Sequence, residues 1–340
     1  MKILVTGGGG YIGTTLVPFL LQKGHQVTVL DRFYFGQELC ERFSSLGSLT
    51  LVRQDTRTFD GNLLEGVDAV VDMAALSNDP AGELDPWKTI EINYLGRSRV
   101  ARLAKQANVK RYLLISSCSI YGFQDGILTE ESKTNPLTAY ARANMLAEKD
   151  NLPLGDEEFT STTIRFATVY GLSERMRFDL AINGMVLGAV KTGKIPIMRD
   201  GTQWRPFIHV KDAARAILAI LEAEPEKVNK QLFNIGSDTQ NFQIKELAEI
   251  VANSLSKRPT IEWYGDPDRR SYKVSFGKAK RVLGYETKYT PVDAVREIEF
   301  ALVSNQVTDS IRTKTVEWYK HLLNDGQASK EVALGVAPVL

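Results

Sequence analysis

The chain has very little of the residue types that build disulfide frameworks and metal sites. Its 340 residues include only two cysteines, Cys40 and Cys118, and three scattered histidines, His25, His209 and His321. Two cysteines cannot form a disulfide framework, and this usage is typical of a reducing compartment. The sequence contains neither a Cys-x-x-Cys pair nor a His/Cys cluster. We therefore predict no metal site.

The sequence also lacks long apolar runs and an excess of charge of one sign. No apolar stretch reaches the roughly 18 residues that a membrane span requires. The apolar start, Met1 to Gly13, superficially resembles a signal peptide, but it is dense in glycine and has no small-residue cleavage site. Lys and Arg number 42 against 41 Asp and Glu, a formal net charge of +1, which favours neither nucleic acid nor an anionic membrane as a partner. We expect a cytoplasmic protein.

What the sequence does contain is an alternation of strand and helix patterns. Helical spacing covers residues 12–22 and 87–107, and β-branched or apolar runs typical of strands cover residues 2–6, 27–30, 49–52, 69–73 and 111–116. Such alternation predicts parallel βαβ units, in which ligands bind at the carboxyl ends of the strands. After a further run at 163–169, loop signals such as Gly193, Pro196 and Gly201 become more frequent.

These patterns predict an α/β protein of two parts. A Rossmann-type doubly wound parallel sheet is expected from residues 1–171 plus 208–238, because a helix at 211–224 and a strand at 232–235 return the chain to the first part. A smaller α/β substrate-binding domain is expected from residues 172–207 plus 239–322. Residues 325–340 are weakly periodic and are predicted to be a tail.

The turn after the first strand is rich in glycine. Residues 6–13 read Thr-Gly-Gly-Gly-Gly-Tyr-Ile-Gly. Glycines at positions 7, 10 and 13 allow a tight turn, close approach of the backbone to a pyrophosphate, and close helix–strand packing. The helix that follows directs its N-terminal amides toward the phosphates. We predict a dinucleotide site whose loop residues are Gly7, Gly10, Tyr11, Ile12 and Gly13.

Asp31 ends the second strand, where an acid distinguishes NAD from NADP. Its carboxylate can accept hydrogen bonds from both hydroxyls of the adenine ribose and would repel a 2′-phosphate. Arg32 could favour the phosphate, but Gly9 offers no basic side chain beside it. NAD is therefore the predicted cofactor. Asp55 and Thr56 follow the third strand and are expected to border the adenine, although a polar turn explains Thr56 equally well.

Further segments along the chain contain recognisable motifs. They are the Ala74-Ala75 pair after the fourth strand, Ser116 to Gly122, Tyr140, Trp204 to Asp212, and Asp268 to Tyr272 with the following Lys278-Ala279 and Leu283-Gly284-Tyr285. Together with the glycine loop they resemble the extended short-chain dehydrogenase/reductase family, in its NAD-dependent nucleotide-sugar epimerase/dehydratase branch. The resemblance covers residues 1–320. It is less specific for the reaction, because this fold hosts epimerases, dehydratases, decarboxylases and reductases.

The resemblance implies a Ser–Tyr catalytic pair beside the nicotinamide. Tyr140 would remove the proton of a sugar hydroxyl as NAD takes the hydride, and would return it when the ketone is reduced. Ser117 is the expected catalytic hydroxyl and Ser119 a second one near the substrate. The resemblance also assigns Ala74, Ala75 and Asn93 to the cofactor side.

The sequence departs from the family in two places. The family's Tyr-x-x-x-Lys motif ends here in Asn144, which lies on the same helix face as Tyr140 and is assigned to the catalytic and cofactor sites in the lysine's place. Asn144 can hydrogen-bond a ribose but carries no charge, so the nicotinamide ring is the nearest cation that we expect for Tyr140. Cys118-Ser119 stand where the dehydratase branch has Asp-Glu, which argues against a dehydratase.

On the substrate side the resemblance places arginines near a diphosphate. Arg205 is expected there, with Arg269 or Arg270 approaching from the later segment, because guanidinium groups match phosphate oxygens.

Two more segments are expected to face the substrate. The start of the second domain should line the same cleft with Arg175, Arg177 and Asn183. Ser77 belongs to a loop after the fourth strand that should face the sugar.

Three functions remain open. The first is an NAD-dependent epimerase of a nucleotide-linked sugar, with NAD regenerated in each cycle. The second is an NAD(P)-dependent reductase or dehydrogenase of the same family. The third is a catalytically impaired dinucleotide-binding protein, which Asn144 would explain. By family analogy the helices at 87–107 and 137–151 would pair in a homodimer.

Overall fold

The strand patterns give rise to four parallel or mixed sheets in a computed structural model that describes residues 1–266 and 270–325. Apolar and β-branched residues dominate the longest strands, such as Thr160–Phe166, which is buried along its whole length. Within the described residues the strands are β1 (Lys2–Thr6), β2 (Gln26–Asp31), β3 (Leu49–Arg53), β4 (Ala69–Asp72), β5 (Arg111–Ser117), β6 (Phe123–Leu128), β7 (Thr160–Phe166), β8 (Thr168–Tyr170), β9 (Lys194–Met198), β10 (Trp204–His209), β11 (Gln231–Ile235), β12 (Asn241–Gln243), β13 (Thr260–Tyr264) and β14 (Ser271–Val274).

Helices connect these strands and cover the sheets. In the same described ranges they are α1 (Gly13–Gln22), α2 (Glu38–Glu41), α3 (Asp79–Gly82), α4 (Pro86–Ile90), α5 (Arg97–Gln106), α6 (Ala139–Asn151), α7 (Ala181–Thr192), α8 (Val210–Glu222), α9 (Pro225–Val228), α10 (Ile244–Ser254), α11 (Gly277–Leu283), α12 (Pro291–Val303) and α13 (Thr315–Asn324). A π-helical segment, Glu91–Gly96, joins α4 to α5. None of the described helices is long and apolar enough to cross a membrane.

The largest sheet has seven parallel strands in the order β11-β7-β5-β4-β1-β2-β3. The chain runs outward from β1 to β3 and then returns to place β4 on the other side of β1. This reversal is the switch point of a doubly wound sheet, where ligands bind beyond the carboxyl ends of the strands. The predicted Rossmann-type fold is confirmed.

Separate cores form on the two faces of this sheet. Helices α1 and α8 cover one face with side chains that include Leu16, Leu20, Ile217 and Leu221. Helices α5 and α6 cover the other with Val100, Ala104 and Ala147. A third core, built from residues between Tyr170 and Ile298, includes α7, α10 and α12 and lies in the smaller part of the molecule.

Two of the loop signals in residues 172–207 can be placed on elements of the structure, one at the end of α7 and one inside β9. Helix α7 stops at Gly193, whose φ of 71° is the left-handed conformation that favours glycine at a helix end. Pro196 lies in β9, which pairs with only one strand, β13, so its missing amide costs no ladder hydrogen bond. The loop signals therefore did not show that a helix of 12 residues and a strand of five residues lie in this segment.

The predicted domain boundaries stay a prediction, and the packing differs from them in one respect. Tyr272, Phe276 and Tyr285 fall in the predicted substrate-binding domain, yet their side chains pack into the core on the α1 face of the large sheet. Strand β14 also pairs with β6, which belongs to the first part of the chain. The chain therefore crosses between the two parts more often than the sequence indicates. The predicted tail falls almost wholly on residues 326–340, which lie outside the described residues.

Candidate active site

A cavity of about 870 Å³ opens at the carboxyl ends of β1, β2, β4 and β5. It extends from the glycine loop to the third core, so both predicted ligands would share it. Most of the predicted site residues line it: Gly7, Gly10, Tyr11, Ile12, Gly13, Asp31, Arg32, Asp55, Thr56, Ala74, Ala75, Ser77, Ser117, Ser119, Tyr140, Asn144, Arg177, Arg205 and Arg270.

The glycine loop needs its glycines for steric reasons. Gly7 has a φ of 70°, and a Cβ atom there would lie 2.8 Å from the backbone of Ala74. A Cβ atom on Gly13 would lie 2.4 Å from the carbonyl oxygen of Gly8. Side chains at these positions would push the loop away from β4 and away from α1. The bare loop therefore leaves room for a ligand beside the first turn of α1.

Asp31 is fixed at the end of β2 by backbone amides. One carboxylate oxygen accepts a hydrogen bond from Gly9 N at 2.9 Å, and the other accepts one from Phe33 N at 2.7 Å. Burial raises the pKa of Asp31, although these amides and Arg53 act in the opposite direction. A Cβ atom on residue 9 would lie 3.2 Å from this carboxylate, so Gly9 allows the loop to contact Asp31.

Asp55 and Thr56 border the cavity as predicted, but the carboxylate of Asp55 is already bound. Arg57 donates to both of its oxygens, at 3.0 Å from Nε and 2.8 Å from an Nη atom. Burial raises the pKa of Asp55, and the hydrogen bonds and charge of Arg57 outweigh it, so that the pKa is lowered overall. Asp55 therefore shapes this end of the cavity as half of an ion pair.

Two predicted site residues do not reach the cavity. Asn93 is fully buried, and its side-chain amide accepts a hydrogen bond from Leu76 N at 2.8 Å and donates to Leu76 O at 3.0 Å. Asn183 accepts from Gly171 N and donates to the Tyr11 hydroxyl and to Arg177 O. Their amides hold the loop after β4 and the start of α7 in place, and their assignment to ligand contact stays a prediction.

Tyr140 and Ser117 come together from different elements. Tyr140 is the second residue of α6, whose N-terminus is capped by Thr138 through a 3.1 Å hydrogen bond to Ala141 N. Ser117 ends β5. Burial and the nearby Asp79 raise the pKa of Tyr140, while Arg97 and hydrogen bonds with Ser117 and Asn144 lower it less. The net shift is upward, so the phenol stays protonated at neutral pH.

The two residues after Ser117 have different surroundings. Ser119 lines the cavity, and its buried Oγ has no hydrogen-bond partner among the described residues, which makes it available to a ligand. Cys118 is buried, its Sγ lies 3.4 Å from Arg165 O, and burial raises the pKa of its thiol. Cys118 is therefore a packing residue and is unsuited to act as a nucleophile.

Asn144 has a protein partner that the sequence did not indicate. Its Oδ1 accepts a hydrogen bond of 2.8 Å from the guanidinium of Arg97, and its Nδ2 donates to Tyr140 O at 3.1 Å. Arg97 also lines the cavity. The sequence analysis named only the nicotinamide ring as a cation for Tyr140, whereas Arg97, which approaches from α5, also acts on Tyr140 and lowers its pKa. Nothing in the sequence around Arg97, which follows Gly96 at the start of α5, indicated that it contacts Asn144.

The predicted substrate side is built from side chains that bind one another. Arg177 forms a double hydrogen bond with Asp179, with distances of 3.2 and 2.7 Å, and donates to Ser77 O at 3.1 Å. Asn78 donates to the same Asp179 carboxylate at 2.9 Å. These contacts tie the loop after β4 to the start of the second part of the chain.

Arg205 and Arg270 lie at the other end of this wall. The guanidinium of Arg205 packs over the ring of Tyr272 at 5.1 Å and donates to the carbonyl oxygens of Trp204 and Arg270. Arg270 forms an ion pair with Asp79. The alternative candidate Arg269 lies outside the described residues. Asp79 thereby connects Arg270 to the surroundings of Tyr140.

Arg175 is a further cation on the cavity wall. Its guanidinium lies 3.6 Å from the centre of the Phe35 ring and donates to Thr315 Oγ1 at 3.0 Å. Its Nε and one Nη atom have no partner among the described residues. A buried guanidinium with unused donors is a suitable contact for a phosphate oxygen.

Comparison with known proteins shows the family of this chain. The model of the NAD-dependent epimerase/dehydratase family matches residues 3–236. The UDP-glucose 4-epimerase of Lactobacillus helveticus is 29% identical, with 87% of this chain and 94% of that protein covered. The UDP-glucuronic acid decarboxylase 1 of Arabidopsis thaliana is also 29% identical, with 85% of this chain covered. The chain spans 66% of the length of that decarboxylase.

A solved structure extends the likeness to three dimensions. MoeE5 in complex with UDP-glucuronic acid and NAD has a TM-score of 0.80 with this chain and is 27% identical in sequence. The match covers 90% of this chain and 100% of MoeE5.

Proposed function

This chain belongs to the NAD-dependent epimerase/dehydratase family, and we propose that it is an epimerase of a nucleotide-linked sugar. NAD is the cofactor of this family, in agreement with the glycine loop and Asp31. The observation that carries the proposal is the pairing of Ser117 with Tyr140 in a cavity where residues 118 and 119 bring no carboxylate.

The residues present suit NAD. The glycine loop, in which a Cβ atom at position 7 or 13 would collide with backbone, leaves space for a pyrophosphate, and Asp31 would hold the adenine ribose. Bound NAD supplies a hydride acceptor and donor. Arg175, with its unused donors, is a further candidate for a phosphate contact.

Tyr140 would hold and move the proton. In its phenolate form, its oxygen would accept the proton of a sugar hydroxyl and return it later, while Ser117 would hydrogen-bond the same sugar hydroxyl. An epimerase needs the proton to return to the oxygen it left, and it needs no acid to expel water from the sugar. That requirement agrees with Cys118 and Ser119, since neither is a carboxylic acid.

Arg205 and Arg270 would bind the diphosphate of the nucleotide sugar. Both line the cavity on the wall away from the glycine loop, and charge-assisted bonds from guanidinium groups suit phosphate oxygens. The relatives named above act on, or are bound to, UDP-sugars. A UDP-sugar is therefore the first substrate to test.

The test is incubation of the purified protein with NAD and, separately, UDP-glucose and UDP-glucuronic acid, followed by NMR of the sugar. We expect an inverted ring carbon, no loss of water or carbon dioxide, and no accumulation of NADH. Stoichiometric NADH would favour the reductase or dehydrogenase instead. Tight binding of NAD and of both UDP-sugars without turnover would favour the impaired binding protein.

We further propose that the enzyme is a homodimer. Trp87, Leu95 and Leu137 are exposed apolar residues on, or next to, the two helical segments that the family analogy assigns to dimer contacts. Sedimentation should give twice the monomer mass, and Trp87→Glu should shift it toward the monomer. A monomer at all concentrations tested would rule the dimer out.

A further inference from the structure

Arg97 is a cation buried between the large sheet and helices α5 and α6. It is 1% exposed and is among the largest fully buried side chains of the described chain. It donates to Asn144 Oδ1 at 2.8 Å, to Asp72 O at 3.1 Å and to Ile115 O. Its Nε has no hydrogen-bond partner among the described residues.

The acceptors of Arg97 are all uncharged. Buried guanidinium groups are usually paired directly with a carboxylate, because desolvating a lone charge is costly. Asp72 is the nearest candidate, but its two carboxylate oxygens accept from Thr6 Oγ1 at 2.6 Å and the Tyr112 hydroxyl at 2.7 Å. No ion pair of Arg97 occurs among the described residues, so its charge acts on its neighbours without direct cancellation.

The position of Arg97 explains why residue 144 is neutral. Asn144 lies one helical turn after Tyr140, on the same face of α6, and its carbonyl end is directed to Arg97. A lysine there would bring a second cation against the guanidinium in a buried place. An asparagine instead accepts from Arg97 and links it to the turn that carries Tyr140.

We propose that Arg97 is a positioning residue that supplies, through Asn144, the positive charge beside Tyr140 that the sequence of α6 lacks. The proposal rests on the proposed acid/base role of Tyr140. It adds that the cation comes from another helix, α5, and reaches α6 through the hydrogen bond between Arg97 and Asn144.

Other groups around Tyr140 set the sign of the expected effects. Asp79 faces it from α3 and raises its pKa, whereas Arg97 and the hydrogen bonds with Ser117 and Asn144 lower it. Asp79 is itself bound by Arg270 and by the Thr138 hydroxyl. On the far side of Arg97, Asp72 has a pKa that burial raises and Arg97 lowers.

The decisive measurement is the pKa of Tyr140 in the protein without substrate. Tyrosine labelled with ¹³C at Cζ reports ionisation by NMR, and Tyr140→Phe assigns the resonance. Arg97→Gln, which keeps a side chain able to hydrogen-bond Asn144 but removes the charge, should raise the pKa of Tyr140 by about one pH unit or more. Arg97→Lys keeps the charge and should leave that pKa close to the wild-type value.

A double variant moves the positive charge from position 97 in α5 to position 144 in α6. Arg97→Gln combined with Asn144→Lys should restore the wild-type pKa of Tyr140, whereas Asn144→Lys alone should lower the thermal stability, because two cations would then be buried together. If Arg97→Gln does not fold, the pKa of Tyr140 in the double variant still tests the proposal. A Tyr140 pKa far below the wild-type value in that variant would mean that Arg97 contributes no charge to Tyr140.

Further outcomes would overturn the proposal. One is an Arg97→Gln protein that is folded, by circular dichroism, with the wild-type pKa at Tyr140. Another is Asn144→Lys alone being as stable as the wild type. Failure of the proposed function is a separate result, because turnover that survives Tyr140→Phe would remove Tyr140 from catalysis without changing the measured dependence of its ionisation on Arg97.

Discussion

The two walls of the cavity are built from different materials. The wall at the glycine loop consists largely of backbone, and the amides of Gly9 and Phe33 hold its acid Asp31. The opposite wall consists of long side chains that hold one another, as in the Arg177–Asp179 pair and the Arg270–Asp79 pair. The first wall depends on the absence of side chains, and the second on their mutual binding.

This difference determines how each wall responds to change. A backbone wall tolerates many substitutions of its neighbours but not a new Cβ atom at Gly7 or Gly13, where backbone lies within 3 Å. A wall of paired charges is sensitive to loss of either partner, because the other is left buried and unpaired. The following substitutions test this comparison, beginning with the residue at which the walls meet.

Tyr140→Phe should give the largest effect. Loss of the acid/base group should lower kcat by about 10²–10⁴-fold, while NAD binding at the backbone wall stays unchanged. Because burial raises the pKa of Tyr140, the wild-type rate should climb with pH past neutrality as more phenolate forms. Rate measurements across pH and NAD titration of both proteins provide the check. A wild-type profile that is flat from about pH 6 upward would contradict the raised pKa of Tyr140, and turnover that survives Tyr140→Phe would contradict its role as acid/base.

Arg177→Met should destabilise the side-chain wall. It leaves the carboxylate of Asp179, whose side chain is 17% exposed, with the hydrogen bond from Asn78 but without the guanidinium, so the free energy of unfolding should fall by about 1–3 kcal/mol. Arg42→Met is the matched control, because Arg42 pairs with Glu174 where both side chains are about half exposed, and it should cost about 0–1 kcal/mol. Denaturant unfolding measures both. Equal losses would show that burial of the pair is irrelevant.

Arg205→Ala should weaken binding of the nucleotide sugar by about 1.5–3 kcal/mol, because one charge-assisted contact with a phosphate is lost. Binding of NAD should change far less, since the glycine loop is on the other wall. Calorimetry with UDP-glucose and with NAD measures both affinities. Lys273→Ala, which removes a cation packed on Trp204, is the control. Unchanged affinity for the sugar nucleotide would remove Arg205 from the site.

Asp31→Ala should have the smallest effect. Removing the carboxylate removes its repulsion of a 2′-phosphate, so the preference for NAD over NADP should narrow by about tenfold, or about 1.4 kcal/mol. Asp31→Asn keeps an oxygen that can accept a hydrogen bond from the Gly9 amide. It therefore separates the effect of the charge from the effect of the hydrogen bond to the glycine loop. Titration with both cofactors is the measurement. A wild-type protein that prefers NADP would contradict the prediction.

The backbone wall could be predicted from the sequence because its signals are contiguous. One strand, one glycine run and one acid specify it within the first 31 residues. The side-chain wall could be predicted only as a set of arginines, since no local pattern shows which carboxylate each arginine binds. Arg177 and Asp179 are neighbours in sequence, but Arg270 and Asp79 are not.

The same limit applies at three asparagines. Asn93 and Asn183 were expected at the ligand sites, and their amides bind backbone groups, which no local pattern reveals. Asn144 was recognised as a departure from the family motif. The compensating Arg97 comes from another helix and could be identified only once α5 and α6 were packed together.

The pairing of β14 with β6 bears on the order in which the protein matures during synthesis. Strands β1 to β4 are all translated within the first 72 residues, so the nucleotide loop and its acid emerge from the ribosome together. The segment that carries Arg270 and Tyr272 emerges much later, and it must then find β6, a strand made long before. Contacts so distant along the chain form slowly. A nascent chain should therefore acquire affinity for the dinucleotide well before it can recognise a sugar.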